Sequence, residues 1–474
     1  VDSGRLRFDH DAVRSAAGLY DAGRRARERV PRSIHATYAP AKDRDPVGVL
    51  RRQHEHRVAE LIPLRLERMT ENPFAFYRGS AAIQAADLRD GPRTGIDVTI
   101  CGDAHVANFG IFASPERRLV FDLNDFDEAA YGPWEWDVKR FVTSVVIAAR
   151  QRGFSEAKAE RAASEAAAAY RTAMRQFTGL GALERYYLRA DVRGGRRAAS
   201  SQKVLDRAIA EASRRTSERV VRKITERAPD GTTAIIESPP RLTHIPEATE
   251  RRVLAIAREY ATTVPADIAL LLSQYTATDA VRRVVGVGSV GTRCYIIVLS
   301  GPAGESLVLQ VKEATESVVV EFGGAPAGCA PAFDDHAHSA EHGHRVVANQ
   351  RVLQAVSDPF LGYVTQDGHA YYIRQFRDQN VSIDTETLGF RPFADYVDAC
   401  GTVLARAHAQ SPDAPFISGY LGGGTAFDAA VVAWAFAYAD QAYADYLTVR
   451  QAVADGRFSP TAPDSLDPAA SRVE

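Results

Sequence analysis

At 474 residues, 45% hydrophobic and 25% charged, the chain has globular proportions and is long enough for two or three cores. Its 58 basic and 60 acidic side chains leave a net charge of -2, which excludes the bulk field that draws in nucleic acid or an anionic membrane, so any anion site must be local. Cys101, Cys294, Cys329 and Cys400 lie far apart without CxxC spacing, and neither a signal-peptide core nor eighteen uninterrupted apolar residues occurs; a cytoplasmic protein with reduced thiols and no membrane span is expected.

Residues 1–45, rich in Arg, Asp and Pro, read as an arm with one short helix. From Val47 to Met69 apolar positions recur at helical spacing, predicting one amphipathic helix with Arg65 and Arg68 on its solvated face. The alternating run Ile96–Ile100 predicts a strand that delivers its end to Cys101, and a polar turn at Ser114–Arg118 makes the following segment a hairpin. Pro133 then opens a long helix, PWEWDVKRFVTSVVIAARQRG, anchored by Trp134 and Trp136. Residues 155–280 read as mostly helical, with the basic stretch ADVRGGRRAAS as a surface loop. From Val281 the period changes to two, through RRVVGVGSVGTRCYIIVLSG and LVLQVKEA. Asp334, Asp335, His336, His338, His342 and His344 belong to a Gly-rich stretch read as an exposed polar loop, ahead of a helix near 344–356 and the paired strands FLGYVTQDG and HAYYIRQF. Helices return from Phe393, and a Pro, Ser and Asp-rich tail closes the chain. The expected division is a helical segment at 1–95, a catalytic and helical part at 96–280, a β-rich unit at 281–378, further helices at 379–458 and a disordered tail at 459–474.

The chemistry concentrates in CGDAHVANFGIFASPERRLVFDLNDFD, residues 101–127. Phosphoryl transfer needs a carboxylate to orient or deprotonate the attacking hydroxyl and oxygen ligands that hold Mg2+ against the phosphates. Gly102 to Asn108 reads GDxHxxN, which resembles the catalytic loop of aminoglycoside and choline phosphotransferases. That resemblance implies Asp103 as catalytic base and Asn108 as a Mg2+ ligand, then a hairpin, a second metal aspartate, a Gly-Pro turn and a helical Asp. Asp125, Gly132-Pro133 and Asp137 reproduce the order. Asp125 is the favoured second ligand and Asp122 the next, with Asp127 a further carboxylate near substrate; strand alternation puts the three on different faces. DLNDFDE is no EF-hand, having Phe126 at position five and no glycine at six. His105 is placed at the catalytic site as a residue that fixes the loop, and Arg78, after an aromatic run, as a phosphate or substrate contact. Cys101 stands where the related kinases carry His.

A phosphate-covering loop and a lysine are absent upstream of Asp103 and appear far downstream. Gly286, Gly288, Ser289 and Gly291 belong to a GxGxxG between β-patterned runs, and Lys312 ends the next strand as LQVK, which looks like the strand-three lysine of kinases. A dinucleotide fingerprint would need a helix directly after the glycines, and CYIIVL follows instead. Glu341, Glu313, Glu316 and Glu321 are the carboxylates open to Lys312, and the backbone around Gln375 and Arg377 is expected to meet adenine. Residues 281–410 followed by 96–150 give ordinary kinase order. The expected fold is therefore α+β, protein-kinase-like, two-lobed and circularly permuted, with a β-rich nucleotide lobe inserted after a mainly helical catalytic lobe.

The strings NPFAFYRGSA, CGDAHVANFG, FDLNDFDEA, GPWEWDVKR, VVGVGSVGTRC, LQVKEA, HRVVANQRVLQAVSDPFLGY and LARAHAQ together resemble the bacterial domain-of-unknown-function 2252 family, over about 47–455. That family name carries no reaction. The residues lead to an ATP- and Mg2+-dependent phosphotransferase acting on a hydroxyl or amine of a small molecule. Nucleotidyl (AMP) transfer with ATP bound in reverse, and a non-catalytic ATP-binding pseudokinase, are the alternatives.

Overall fold

The computed structural model describes residues 15–190, 192, 199–215, 217–227, 233–284, 286–327, 341–376 and 380–458. Most of the expected loop at 190–200 and of the expected Gly-rich loop at 323–343, with Asp334, Asp335, His336 and His338, lies outside these residues, as do Cys329, Arg377 and the tail at 459–474, whereas His342 and His344, expected in that loop, belong to a helix over His342–Leu353.

The chain begins with α1 (Ala16–Arg29), whose N-terminus is capped by the Ser15 side chain on the Gly18 amide. The single helix expected from Val47 to Met69 is two, α2 (Pro46–Glu55) and α3 (Ile62–Met69). Pro63, which lacks an N–H, occupies the first turn of α3. The intervening residues leave helical geometry so that the Val58 amide can donate to Gly291 O at 2.7 Å. Arg65 is not solvated: it is fully buried, with Nη2 on Gln53 Oε1 (2.8 Å) and Gly79 O (3.0 Å).

Next come α4 (Pro73–Gly79), α5 (Ala81–Leu88), β1 (Asp97–Ile100), β2 (Phe109–Ala113), β3 (Leu119–Leu123) and β4 (Ala130–Pro133). The long helix α6 (Trp134–Gln151) follows, buried along almost its whole length, with Trp134 and Trp136 in the core. A helix enclosed on every side must find partners for its polar groups. Here Glu135 accepts from the Thr94 amide (2.7 Å), Asp137 from two backbone amides, and Lys139 sits 4.8 Å from the centre of the Trp434 ring. Packed around α6 are α7 (Glu156–Thr178), α15 (Phe390–His408), α16 (Ala414–Leu421) and α17 (Ala426–Ala454), which with β1 and β4 form the largest core.

Between α7 and α15 run α8 (Ala182–Tyr186), α9 (Ala199–Arg214), α10 (Ser217–Ile224), β5 (Thr225–Arg227), β6 (Thr233–Ile235), β7 (Leu242–His244), α11 (Glu247–Glu259), α12 (Ala266–Leu272), β8 (Thr276–Arg283), β9 (Cys294–Ser300), β10 (Ser306–Ala314), α13 (Val318–Glu321), α14 (His342–Leu353), β11 (Gly362–Gln366), β12 (His369–Gln375) and β13 (Val381–Ser382). Six of these strands form one antiparallel sheet in the order β11-β12-β10-β9-β8-β7. Alternation along β10 sends Leu307, Leu309 and Val311 to one face, where they meet Val253 and Ile256 of α11 and Leu272 of α12. Val308 points to the other face, against Val221 and Ile224 of α10, and Gln310 and Lys312 continue that face beyond the apolar patch. The β-rich unit therefore begins earlier than residue 281. The helices between 217 and 272 pack on the sheet and not on the α6 core, because their apolar stripes match its two faces, at about 1.5–3 kcal/mol for each fully buried aliphatic side chain.

The whole is a mixed α+β protein with several antiparallel sheets. Among the described residues no single helix is long and apolar enough to cross a membrane; α16 and α17 pass on length and composition only as a pair, bent by 91°.

Candidate functional site

The 102–108 loop is held from below by α6. Asp137, in the first turn of α6, accepts from Cys101 N (2.6 Å) and Gly102 N (2.9 Å), and His408 Nε2 reaches the same carboxylate at 3.1 Å while its Nδ1 lies 2.8 Å from the Tyr170 hydroxyl. Gly102 has φ +76°, and a Cβ there would lie 2.0 Å from Glu128 O, so only glycine fits this turn. Asp103 emerges beyond it with Oδ1 on Arg140 Nε (2.8 Å), one turn of α6 after Asp137. Arg140 is itself fixed by Gln84 Oε1 (3.0 Å), Tyr77 O (2.6 Å) and the face of the Tyr77 ring. Burial raises the Asp103 carboxyl above its usual range, and the Arg140 charge opposes that rise. His105 Nε2 is 3.7 Å from Asp103 Oδ2; burial, with Arg78 and Arg140 adding to it, drives this imidazole far below its ordinary pKa, so it stands neutral.

Asn108 joins the loop to the segment after the hairpin. Its Oδ1 accepts from Asp125 N (2.7 Å), and its Nδ2 donates to Asp103 O (3.1 Å) and Asp125 O (2.9 Å). The oxygen expected on a metal accepts one backbone hydrogen bond and has a second lone pair, while Asn108 also acts as a strut between the two segments. Asp122 is turned away from this region: it sits in β3, buried, with its carboxylate on Leu123 N (2.9 Å) and Ala355 N (2.7 Å). This corrects its assignment as a metal ligand, and strand alternation is the cause. Asp125, past the strand end, keeps a buried Oδ1 with no hydrogen-bond partner, 3.6 Å from Lys312 Nζ.

The downstream segment completes the arrangement. Register pairs Lys312 of β10 with Cys294 of β9 and Tyr372 of β12, and Gln310 with Arg374. Lys312 Nζ makes a short contact with Asp127 Oδ2, which also accepts from Ser289 Oγ (2.9 Å), while Asp127 Oδ1 accepts from the Tyr372 hydroxyl (2.8 Å). Burial alone would raise Asp127, but the Lys312 charge and these hydrogen bonds hold it down at about 2. Lys312 stays protonated, since the attraction of Asp125 and Asp127 outweighs its desolvation. None of Glu313, Glu316, Glu321 and Glu341 pairs with it. Glu313 lies on the opposite face of the strand, bonded to Arg293 Nη1 (2.8 Å) and His369 (3.0 Å), and α14 directs Arg345 to Asp127 O (2.8 Å). The glycine segment is tied to the chain after α2: Arg57 donates to Gly288 O (3.0 Å) and Val290 O, and at Gly291, φ +95°, a Cβ would come within 3.1 Å of the Arg57 stem.

Arg78, Asp103, His105, Asn108, Asp125, Asp127, Gly286, Gly288, Ser289 and Lys312 all line one cleft of about 250 Å³. Gly291 and Asp122 do not. The cleft continues, through shared Asn124, Arg283, Gln310 and Arg374, into an outer chamber of about 580 Å³ that Gln375 lines. The Gln375 amide already donates to Asp358 Oδ2 (2.5 Å), so it offers no free backbone donor there. Arg140, Tyr372, Arg374 and Glu128 are site residues that the motifs did not name. Three had a signal: Arg140 is three residues after Asp137 on the same helix face, and Tyr372 and Arg374 alternate on one strand face.

Glu128 lies at the cleft edge with Oε2 on Val318 N (2.8 Å), and burial pushes its carboxyl up to about 7. Because the folded value exceeds the unfolded one, the native state binds the extra proton between about pH 4.5 and 7, and stability falls as pH rises through that window. Glu128→Gln keeps an acceptor for Val318 and removes the titration. Urea unfolding at pH 5 and pH 8 should show the variant gaining about 1–2 kcal/mol on the wild type at the higher pH. Equal pH slopes for the two proteins would refute this reading of Glu128.

Among the described residues no group of three or more His, Cys, Asp or Glu is arranged to hold a metal ion. The fold and site define a mixed α+β protein whose motifs, distant in sequence, converge on one polar cleft between an antiparallel sheet and a helical core. The chain belongs to the DUF2252 family, described as uncharacterized protein conserved in bacteria, whose model matches residues 57–452. No curated protein and no solved structure matches it.

Proposed function

We propose that the protein is an ATP- and Mg2+-dependent phosphotransferase of kinase-like, two-lobed and circularly permuted architecture, acting on a hydroxyl or amine of a small molecule. The observation that carries this reading is the meeting of Asp103 and Asp125 with Gly286–Ser289 and Lys312 in one cleft, although about 185 residues separate Asp127 from its partner Lys312. In this reading Asp103 takes the proton of the acceptor, Lys312 and Arg374 face the phosphates, and the Gly286–Ser289 backbone covers them.

Mg2+ requires only one or two carboxylates when phosphate oxygens and water complete its octahedron. Asp125 Oδ1, which accepts no hydrogen bond and has only the Lys312 ammonium 3.6 Å away, fits that need, with Asp127 beside it. When bound, the ion would neutralise phosphate charge. The permutation has support of its own: Ser411, just past α15, accepts from Thr99 N at 3.1 Å, so the two ends of the inferred cut abut in space.

Incubation with Mg2+, a pool of small metabolites and ATP labelled in either the γ- or the α-phosphate tests the reading. Label should pass to acceptors from the γ position alone. Transfer only from the α position would make the protein a nucleotidyltransferase, and nucleotide binding without any transfer would make it a binding module.

A further inference from the structure

The outer chamber contains a hydrogen-bonding feature that the phosphate chemistry does not use. Gln350 of α14 and Gln354, just past its end, both line it and are both buried, at 3% and 7% exposure. Gln354 Nε2 donates to Leu123 O at 2.8 Å, which turns its Oε1 toward Gln350. Gln350 Nε2 donates to that oxygen at 2.9 Å. Each amide fixes the orientation of the next, because the relay starts on a carbonyl that can only accept. The last atom, Gln350 Oε1, is buried without a hydrogen-bond partner. Asn124, between the chamber and the inner cleft, likewise has both its Oδ1 and Nδ2 buried and unpartnered.

A buried acceptor that cannot flip into a donor is favourable only when a ligand or water donates to it. We infer that Gln350, locked by Gln354, selects nucleotides whose base carries an exocyclic amino group and disfavours those with a carbonyl in its place. This rests on the phosphotransferase reading, which directs the base into the outer chamber when the phosphates lie near Lys312. An oxo base would set oxygen against oxygen, and Gln350 could relieve this only by breaking its bond to Gln354.

Calorimetric binding in the presence of Mg2+ compares ATP with ITP and CTP with UTP. Sites that hydrogen-bond a specific donor reject analogues lacking it strongly, so the amino member of the tighter pair should bind at least about tenfold better than its oxo counterpart. Gln350→Met, close in volume but without the acceptor, should reduce that ratio below about threefold. Gln354→Met, which unlocks the amide while leaving Gln350 in place, should reduce it as well. The wild-type comparison stands even where a variant fails to fold. Equal binding of amino and oxo partners, as expected if Gln350 holds a buried water only, overturns the inference and leaves the phosphotransferase reading intact. A ratio that survives in folded Gln350→Met also overturns it. Failure of every nucleotide to bind would end both.

Discussion

Asp103→Asn should lower γ-phosphate transfer about 10²–10⁴-fold while leaving nucleotide affinity within about twofold. The substitution removes the carboxylate proposed to accept the proton but keeps an oxygen for Arg140 Nε, now 2.8 Å from Oδ1. Arg140 retains Gln84 and Tyr77, so the α6 side of the loop survives. Weakening one buried charge-assisted hydrogen bond costs about 1–3 kcal/mol, enough to lower the melting temperature without unfolding the chain. The raised Asp103 pKa adds a signature: the acid limb of the wild-type rate should lie above the usual carboxylate range, because the base must first lose its proton. Single-turnover transfer beside a binding isotherm separates chemistry from affinity. A variant that transfers at the wild-type rate would remove Asp103 from the mechanism.

Lys312→Met should cost stability and nucleotide binding together. Lys312 is 3% exposed and bridges Asp127 and Asp125; without it two neighbouring, partly buried carboxylates remain. Leaving a buried charge unpaired typically costs about 3–5 kcal/mol. Ser289 and Tyr372 still donate to Asp127, which favours the lower end of that range. The sign of the pH dependence follows from the depressed Asp127 pKa. The contribution of the pair is complete above the unfolded carboxylate value near 4 and is lost as pH falls through about 2. Urea midpoints should therefore differ most near pH 7 and converge in acid. Lys312→Arg preserves the charge but places a planar fork where a point charge fits, so it should recover stability better than nucleotide binding. An unchanged urea midpoint for Lys312→Met at pH 7 would show that the pair contributes nothing.

What could be read from the sequence was local. Gly102–Asn108, Gly286–Gly291 and the lysine at the end of LQVK each declare themselves by spacing, and the strands that present them follow from alternation. The long-range partners could not be read this way. Lys312 takes its carboxylate from a segment 185 residues upstream, while the nearer glutamates fall on the wrong strand face or before a helix that presents Arg345. Arg65 shows a second limit. Arginine at helical spacing reads as a solvated stripe, yet here it is buried on Gln53 and the carbonyl of Gly79, contacts invisible in a one-dimensional pattern. Asp122 and Asp125 are separated by the end of a strand, and where β3 stops decides which carboxylate faces the cleft. The helices between 217 and 272 show apolar stripes in sequence, but which core those stripes meet is decided by the two faces of a sheet whose strands lie mostly downstream of them.

The attachment of the glycine segment to Arg57 bears on how the protein is made. Arg57 leaves the ribosome more than two hundred residues ahead of the carbonyls it binds, Gly288 and Val290. During synthesis this guanidinium, and the aspartates after the hairpin, exist for a long time without their partners. Contacts of such high sequence separation form after the local ones, because chain closure must precede any gain from them. The 102–108 loop is in the same position, since the carboxylate of Asp137 beneath it meets His408 of α15 only after the β8–β12 sheet has been made, so both halves of the cleft depend on segments that reach it late.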